Sequence, residues 1–207
     1  MTRNEAIAEL ARDGAWTDAQ LRERLERWGI ASIDHYLSRQ TVQARPTGFS
    51  KTRQPVEIVR PNGHGREIAA RLGVSPQLIR SGELEHALGL AELRWSVGAR
   101  YSQYTAQDGL GRLHRHGRAI GGAGLGDHLA DGAVSTPKGL VLLEYDHGRY
   151  TSTQVREKLA SFERASRWSK EPIVGAVWGA PSARRAAWLR SVGVEKVVVV
   201  EASQWLK

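Results

Sequence analysis

The chain has 207 residues, 41% of them hydrophobic and 25% charged, and a formal net charge of +8 at pH 7. That length holds one large domain or two small ones with a genuine core, and the composition excludes wholesale disorder. Cysteine is absent, which excludes a disulfide framework and a thiolate zinc site. A polar N-terminus and the lack of any run of about 20 apolar residues predict a soluble, cytoplasmic protein that makes no membrane contact. The positive charge points to a polyanionic partner. Residues 1–80 and 147–207 are net basic and flank a net acidic stretch, 81–146. This suits nucleic acid held over a carboxylate cluster better than a uniformly basic surface would.

Asn4–Asp13 reads as a helix with Ile7 and Leu10 inward and Gly14 at its end. Thr17 caps a second helix and Gln20, three residues on, completes a capping box; Leu21, Leu25 and Trp28 mark its inner face before Gly29. Ser32 is the expected cap of a third, shorter helix to about Gln40, leaving His35, Ser38, Arg39 and Gln40 toward solvent. Thr41–Arg45 and Pro55–Arg60 alternate as strands around a polar, basic tip, a hairpin whose prolines suit an edge ribbon. Three helices followed by a basic hairpin is the order of a winged helix-turn-helix. In that arrangement the third helix enters the major groove, and Arg45, Lys51 and Arg53 meet the phosphate backbone. A small helical domain for protein contacts is the alternative reading of the same pattern.

A short helix over Arg66–Leu72 and another over about Glu83–Trp95 follow, and the boundary between an N-terminal domain (1–75) and a C-terminal one (76–207) is expected between them. Residues 98–127 read as loop or weak strand. Their arginines, Arg112, Arg115 and Arg118, are candidate phosphate contacts. Beyond them Ala133–Val134 and Leu140–Glu144 form a hairpin about Pro137–Lys138. Thr151–Ala165 is an amphipathic helix, Ile173–Trp178 and Val197–Val200 are buried strands, and Ser182–Ser191 is a helix between them. Strands alternating with helices predict parallel pairing and an α/β fold, α+β overall, about a central mixed sheet.

Counting outward from a two-residue turn sets Thr136 opposite Gly139, Ala133 opposite Leu142 and Asp131 opposite Glu144. Asp146, two residues on, emerges on the face of Glu144. Three carboxylates at the end of a buried sheet are ligands for Mg²⁺, and a cation there activates water and neutralises charge in phosphodiester cleavage. Lys158, on the next helix, lies about 60° from the centre of its apolar face and reaches toward the strand ends. A solvated surface lysine is the bland alternative.

This order resembles the restriction-endonuclease-like PD-(D/E)xK fold, with Asp131 and Glu144 as its two acids. The resemblance implies a lysine two residues after Glu144, where this chain has Asp146. Some members supply it from the following helix, which Lys158 would imitate, and Glu85 or Glu92 would stand for an optional acid on the preceding helix. Through Gly65–Gly73, His86–Arg94, Ala130–Val134, Leu143–Arg149 and Arg156–Leu159, residues 5–165 are also similar to the plasmid replication–relaxation family. That resemblance implies DNA transactions on plasmids or other mobile elements. Three functions stay open: a DNA-binding protein acting in replication or processing, a Mg²⁺-dependent endonuclease using Asp131, Glu144, Asp146 and Lys158, and a transcriptional regulator whose C-terminal domain only dimerises. The expected partners are double-stranded DNA and, in the last reading, a second copy of the chain.

Overall fold

The computed structural model describes residues 1–45, 50–77, 79, 83–106, 110, 130–167 and 169–201. Among these the fold is mixed α/β, with six α-helices and two sheets, and no helix is long and apolar enough to cross a membrane. The chain divides into two compact units, Met1–Glu92 (joined by Glu201) and Leu93–Val200.

The first unit begins with α1 (Arg3–Asp13), capped by Thr2 in a capping box with Glu5. Gly14 ends it at φ +81°, and a Cβ there would stand 2.7 Å from the Gln77 carbonyl oxygen, so only glycine fits. A two-residue strand, β1 (Trp16–Thr17), leads into α2 (Asp18–Trp28) through the expected Thr17–Gln20 capping box. The two helices bury Ile7, Leu10, Leu21 and Leu25 with Trp16, Ile30, Ile33 and Val59. Each such large side chain contributes about 1.5–3 kcal/mol of burial. Arg24, 1% exposed, lies 4.4 Å over the Trp16 ring and donates to Glu92 at 3.0 Å, so the guanidinium is buried with a partner charge.

The third helix expected over Ser32–Gln40 does not form. Ser32 Oγ accepts the Asp34 N–H, but the turn is a single 3-10 step, Asp34–Tyr36. Leu37–Ala44 then runs as β2, paired antiparallel along its whole length with β3 (Gln54–Pro61). The reason is local. β3 buries Val56, Ile58 and Val59, its other neighbour β1 covers only two positions, and a helix in place of β2 would strip the rest of β3 of ladder partners. The sheet order is β1-β3-β2. Asn62 caps α3 (Gly63–Arg71), and α4 (Leu84–Ser96) buries Leu84 and Leu88 against Ala15, Ala44, Val56 and Ile58. The division between the units falls at Glu92/Leu93, within α4, beyond the 75/76 boundary expected from the sequence.

The second unit is a five-stranded sheet of order β4-β5-β6-β7-β8. Strands β4 (Tyr104–Ala106), β5 (Gly132–Thr136) and β6 (Gly139–Tyr145) form an antiparallel meander. Helix α5 (Ser152–Ser166) crosses over to β7 (Ile173–Ala180), parallel to β6, and α6 (Ala183–Ser191) to β8 (Val197–Val199), parallel to β7. The hairpin register agrees with the count from the turn: Thr136 pairs with Gly139 and Ala133 with Leu142. Gly139 holds φ +132° where a Cβ would meet the Pro172 oxygen at 2.2 Å. Val155 and Phe162 of α5 and Ala186 and Leu189 of α6 pack with Leu142 and Trp178 to form the core.

Candidate functional site

The β5–β6 ladder ends at Gly132/Leu143, so Asp131 and Glu144 are the next opposed pair, at the end of the sheet. Asp131 is held there by the Tyr145 N–H, which donates to its Oδ2 at 2.7 Å. Glu144 is fully buried. Lys158, on the second turn of α5 and itself only 6% exposed, places Nζ 2.6 Å from Glu144 Oε1. The Tyr150 hydroxyl donates to the same oxygen at 2.7 Å, and Lys158 Nζ lies 5.2 Å from the Tyr150 ring centre. Glu144 Oε2 is buried and accepts no hydrogen bond from any of the described residues. An oxygen left so costs about 1–3 kcal/mol unless a further contact offsets it.

The electrostatics follow from this packing. Burial first, and then the like charge of Asp131, push the Glu144 carboxyl above the ordinary carboxylate range, while Lys158 and the Tyr150 hydroxyl pull it back. Burial, then the charges of Glu144 and Asp131, push the Tyr150 phenol far above its usual range. Its hydroxyl therefore stays protonated and serves as a donor.

Asp146 faces a different task from the one its spacing suggests. β6 stops at Tyr145, and Asp146 begins the loop to α5. Its Oδ1 accepts the N–H groups of Gly148 at 2.7 Å and Arg149 at 3.1 Å, and its Oδ2 accepts Arg185 Nε at 2.6 Å. Three carboxylates thus do not converge; among the described residues no group of three or more His, Asp or Glu side chains is arranged to hold a metal ion. Two remain, Asp131 and Glu144. These two are the residues that could hold a hard cation, since Mg²⁺ takes one or two protein carboxylates and completes its shell with water and phosphate oxygens. Glu92 is engaged by Arg24 and Gln20 and Glu85 accepts the Arg45 N–H, all within the first unit.

In the first unit the residues expected on a reading helix lie elsewhere. His35 sits in the 3-10 turn, with its ring edge-on to Tyr36 and 5.9 Å from His64. Ser38, Arg39 and Gln40 are exposed on β2. Arg39 bonds three acids, Asp18, Asp34 (2.5 Å) and Glu57 (2.8 Å), so its charge is spent within the protein. Lys51 and Arg53 are exposed between β2 and β3, and Arg45 is half-buried at the end of β2. Arg112, Arg115 and Arg118 lie outside the described residues.

Tyr150 and Arg185 are the members of this cluster that sequence reasoning missed. Tyr150 directly precedes the Thr151 cap of α5, a position that foretells a fixed side chain but not its target. Arg185 lies 39 residues from Asp146, and nothing local pairs them. Comparison of the chain with protein-family models, with curated proteins and with solved structures returns no match.

Proposed function

We propose that this protein binds double-stranded DNA and that its Leu93–Val200 unit is a nuclease-like centre for metal-dependent phosphodiester chemistry on Asp131, Glu144 and Lys158. The observation that carries the reading is the buried contact of Lys158 Nζ with Glu144 at 2.6 Å. It supplies from α5 the ammonium that Asp146 does not supply at the strand. The order α4-β4-β5-β6-α5-β7, a meander followed by a parallel strand, is the order the PD-(D/E)xK resemblance implies.

Asp131 and Glu144 would hold Mg²⁺, which when bound lowers the pKa of water and neutralises phosphate charge. Lys158 holds one carboxylate oxygen and would stand at the end of the sheet where the phosphate is proposed to react. The Tyr150 hydroxyl orients the same carboxylate. In the first unit the sheet order β1-β3-β2 and the basic hairpin support a winged-helix reading in a modified form: DNA is met by Lys51 and Arg53 of the wing, and no reading helix is required. Action on plasmid or other mobile DNA follows from the family resemblance as part of this proposal.

A second reading, a regulator whose nuclease-like unit, paired with a second copy, binds without cutting, is favoured by the complete burial of Glu144. Cleavage of supercoiled, linear and single-stranded DNA with Mg²⁺ or Mn²⁺ separates the two. Loss of several kcal/mol of charge stabilisation predicts a fall of about 100-fold or more in rate for Glu144→Ala. Absence of metal-dependent cutting by the wild type would sink the enzymatic reading.

A further inference from the structure

Tyr150 reaches Glu144 from a loop that has an anchor of its own. Asp146 Oδ1 gathers the N–H groups of Gly148 and Arg149, with Tyr150 N more distant at 3.5 Å, which curls residues 146–150 into a compact turn. The Asp146 N–H is in turn fixed to the Gly179 carbonyl at the end of β7. Arg185, on the first turn of α6, spans the loop from outside: Nε donates to Asp146 Oδ2 at 2.6 Å and Nη2 to the Tyr150 carbonyl at 2.5 Å. Its guanidinium stacks 3.7 Å over the Trp188 ring, and its backbone N–H is capped by Ser182 Oγ. A planar fork that satisfies two acceptors and lies against an aromatic face has little freedom left.

We propose that the Asp146–Arg185 pair is a positioning latch, which acts through Tyr150 to hold its hydroxyl on Glu144 Oε1 and so set the direction in which Oε2 faces. The assignment rests on the reading of Glu144 as the acid of the centre. The need for a latch is torsional. The terminal torsion of a glutamate is broad and nearly two-fold, so the plane of the Glu144 carboxylate is not set by rotamer preference. Two donors converging on Oε1, one from α5 and one from the loop, set it. Lys158 is carried by a helix of 15 residues and needs no further support. Tyr150 is carried by the loop, and the Trp178 ring stands edge-on to it at 6.1 Å. Where the resemblance implies a lysine, this chain thus has the anchor of the residue that orients the acid.

A double-mutant cycle on the full chain tests the latch, with the ¹³C carboxyl resonances of labelled glutamates read at one fixed pH. The Glu144 resonance is the one lost in Glu144→Gln. Tyr150→Phe is expected to move it, and Arg185→Ala to move it in the same direction by a comparable amount. In the Tyr150→Phe background, Arg185→Ala is expected to add nothing, because the latch acts on Glu144 through the Tyr150 hydroxyl. Arg185→Lys, which keeps a charge on Asp146 but loses the fork, restores the shift in part. If Arg185→Ala does not fold, Asp146→Asn, which keeps an acceptor for the loop N–H groups, is read in the same cycle. A Glu144 resonance unmoved by Arg185→Ala or Asp146→Asn while the melting temperature drops overturns the proposal, as does full additivity with Tyr150→Phe. The readout needs neither metal nor cleavage, so a wild type that cuts no DNA would end the nuclease reading and leave the latch decided by the cycle.

Discussion

At the scale of single residues, the cluster about Glu144 is defined by what burial does to protonation. Tyr150 is raised by burial and by the neighbouring carboxylates, and Tyr145 by burial and then by Asp146. An unfolded tyrosine titrates near pH 10, approximately. Both folded values lie above this, so the folded protein holds these two protons more tightly than the unfolded chain does. Their contribution to stability is full below pH 10, roughly, and is lost as pH climbs through the folded values. Of the five tyrosines, Tyr145 and Tyr150 are therefore expected to stay un-ionised in an absorbance titration until the protein unfolds at alkaline pH. Tyr150→Phe should remove one late-titrating phenol. A smooth titration of all five near pH 10 would contradict the burial on which the cluster rests. Asp131, Glu144 and Lys158 were legible in the sequence because a two-residue turn dictates the hairpin register and helical periodicity dictates which way Lys158 faces. Strand alternation would set Asp146 on the face of Glu144, but β6 ends one residue earlier, at Tyr145.

At the scale of elements, the exchange of a helix for a strand over Leu37–Gln40 redistributes the basic residues. As a helix, that segment would present Arg39 to a groove. As the edge strand β2, it places Arg39 against Asp18, Asp34 and Glu57. Arg39→Ala is accordingly expected to leave DNA affinity nearly unchanged and to loosen the 3-10 turn, seen as faster amide exchange at Tyr36 and Leu37. The exposed pair between β2 and β3, Lys51 and Arg53, is proposed to act in the opposite way. Lys51→Ala with Arg53→Ala should weaken DNA binding and lower the salt slope by about 2 if each meets one phosphate. Equal affinity and slope in a fluorescence-anisotropy titration would take the wing out of the interface. The misread helix has a plain cause: Ser32, Ile33, Tyr36 and Leu37 satisfy both a short amphipathic helix and the approach to a strand, and only the partner β3 discriminates between them.

At the scale of the whole molecule, the two units have separate cores. Ile58 belongs to a cluster with Ala44, Val56 and Leu88, and Leu142 to one with Phe162, Trp178 and Leu189; the two share no member. Ile58→Ala and Leu142→Ala should each cost about 2–5 kcal/mol. Because the two clusters share no member among the described residues, the costs should add in urea denaturation to within about 0.5 kcal/mol. A double variant much less destabilised than the sum would indicate that the cores are not independent.

The sequence by itself determined the helices α1, α2, α5 and α6, the β5–β6 hairpin with its register, and the buried strands β7 and β8. Each of these is specified by contacts within a few residues: a capping box, a turn, an alternating or continuous apolar run. Only the tertiary structure decided that Leu37–Ala44 is a strand, that Arg39 is neutralised, that Asp146 anchors a loop, and that Tyr150 and Arg185 belong to the Glu144 cluster. These outcomes depend on pairings across tens of residues, β2 with β3 and Asp146 with Arg185. Such contacts form because a buried strand must satisfy its backbone and a buried carboxylate must find a partner. Neither requirement names its partner in the local sequence.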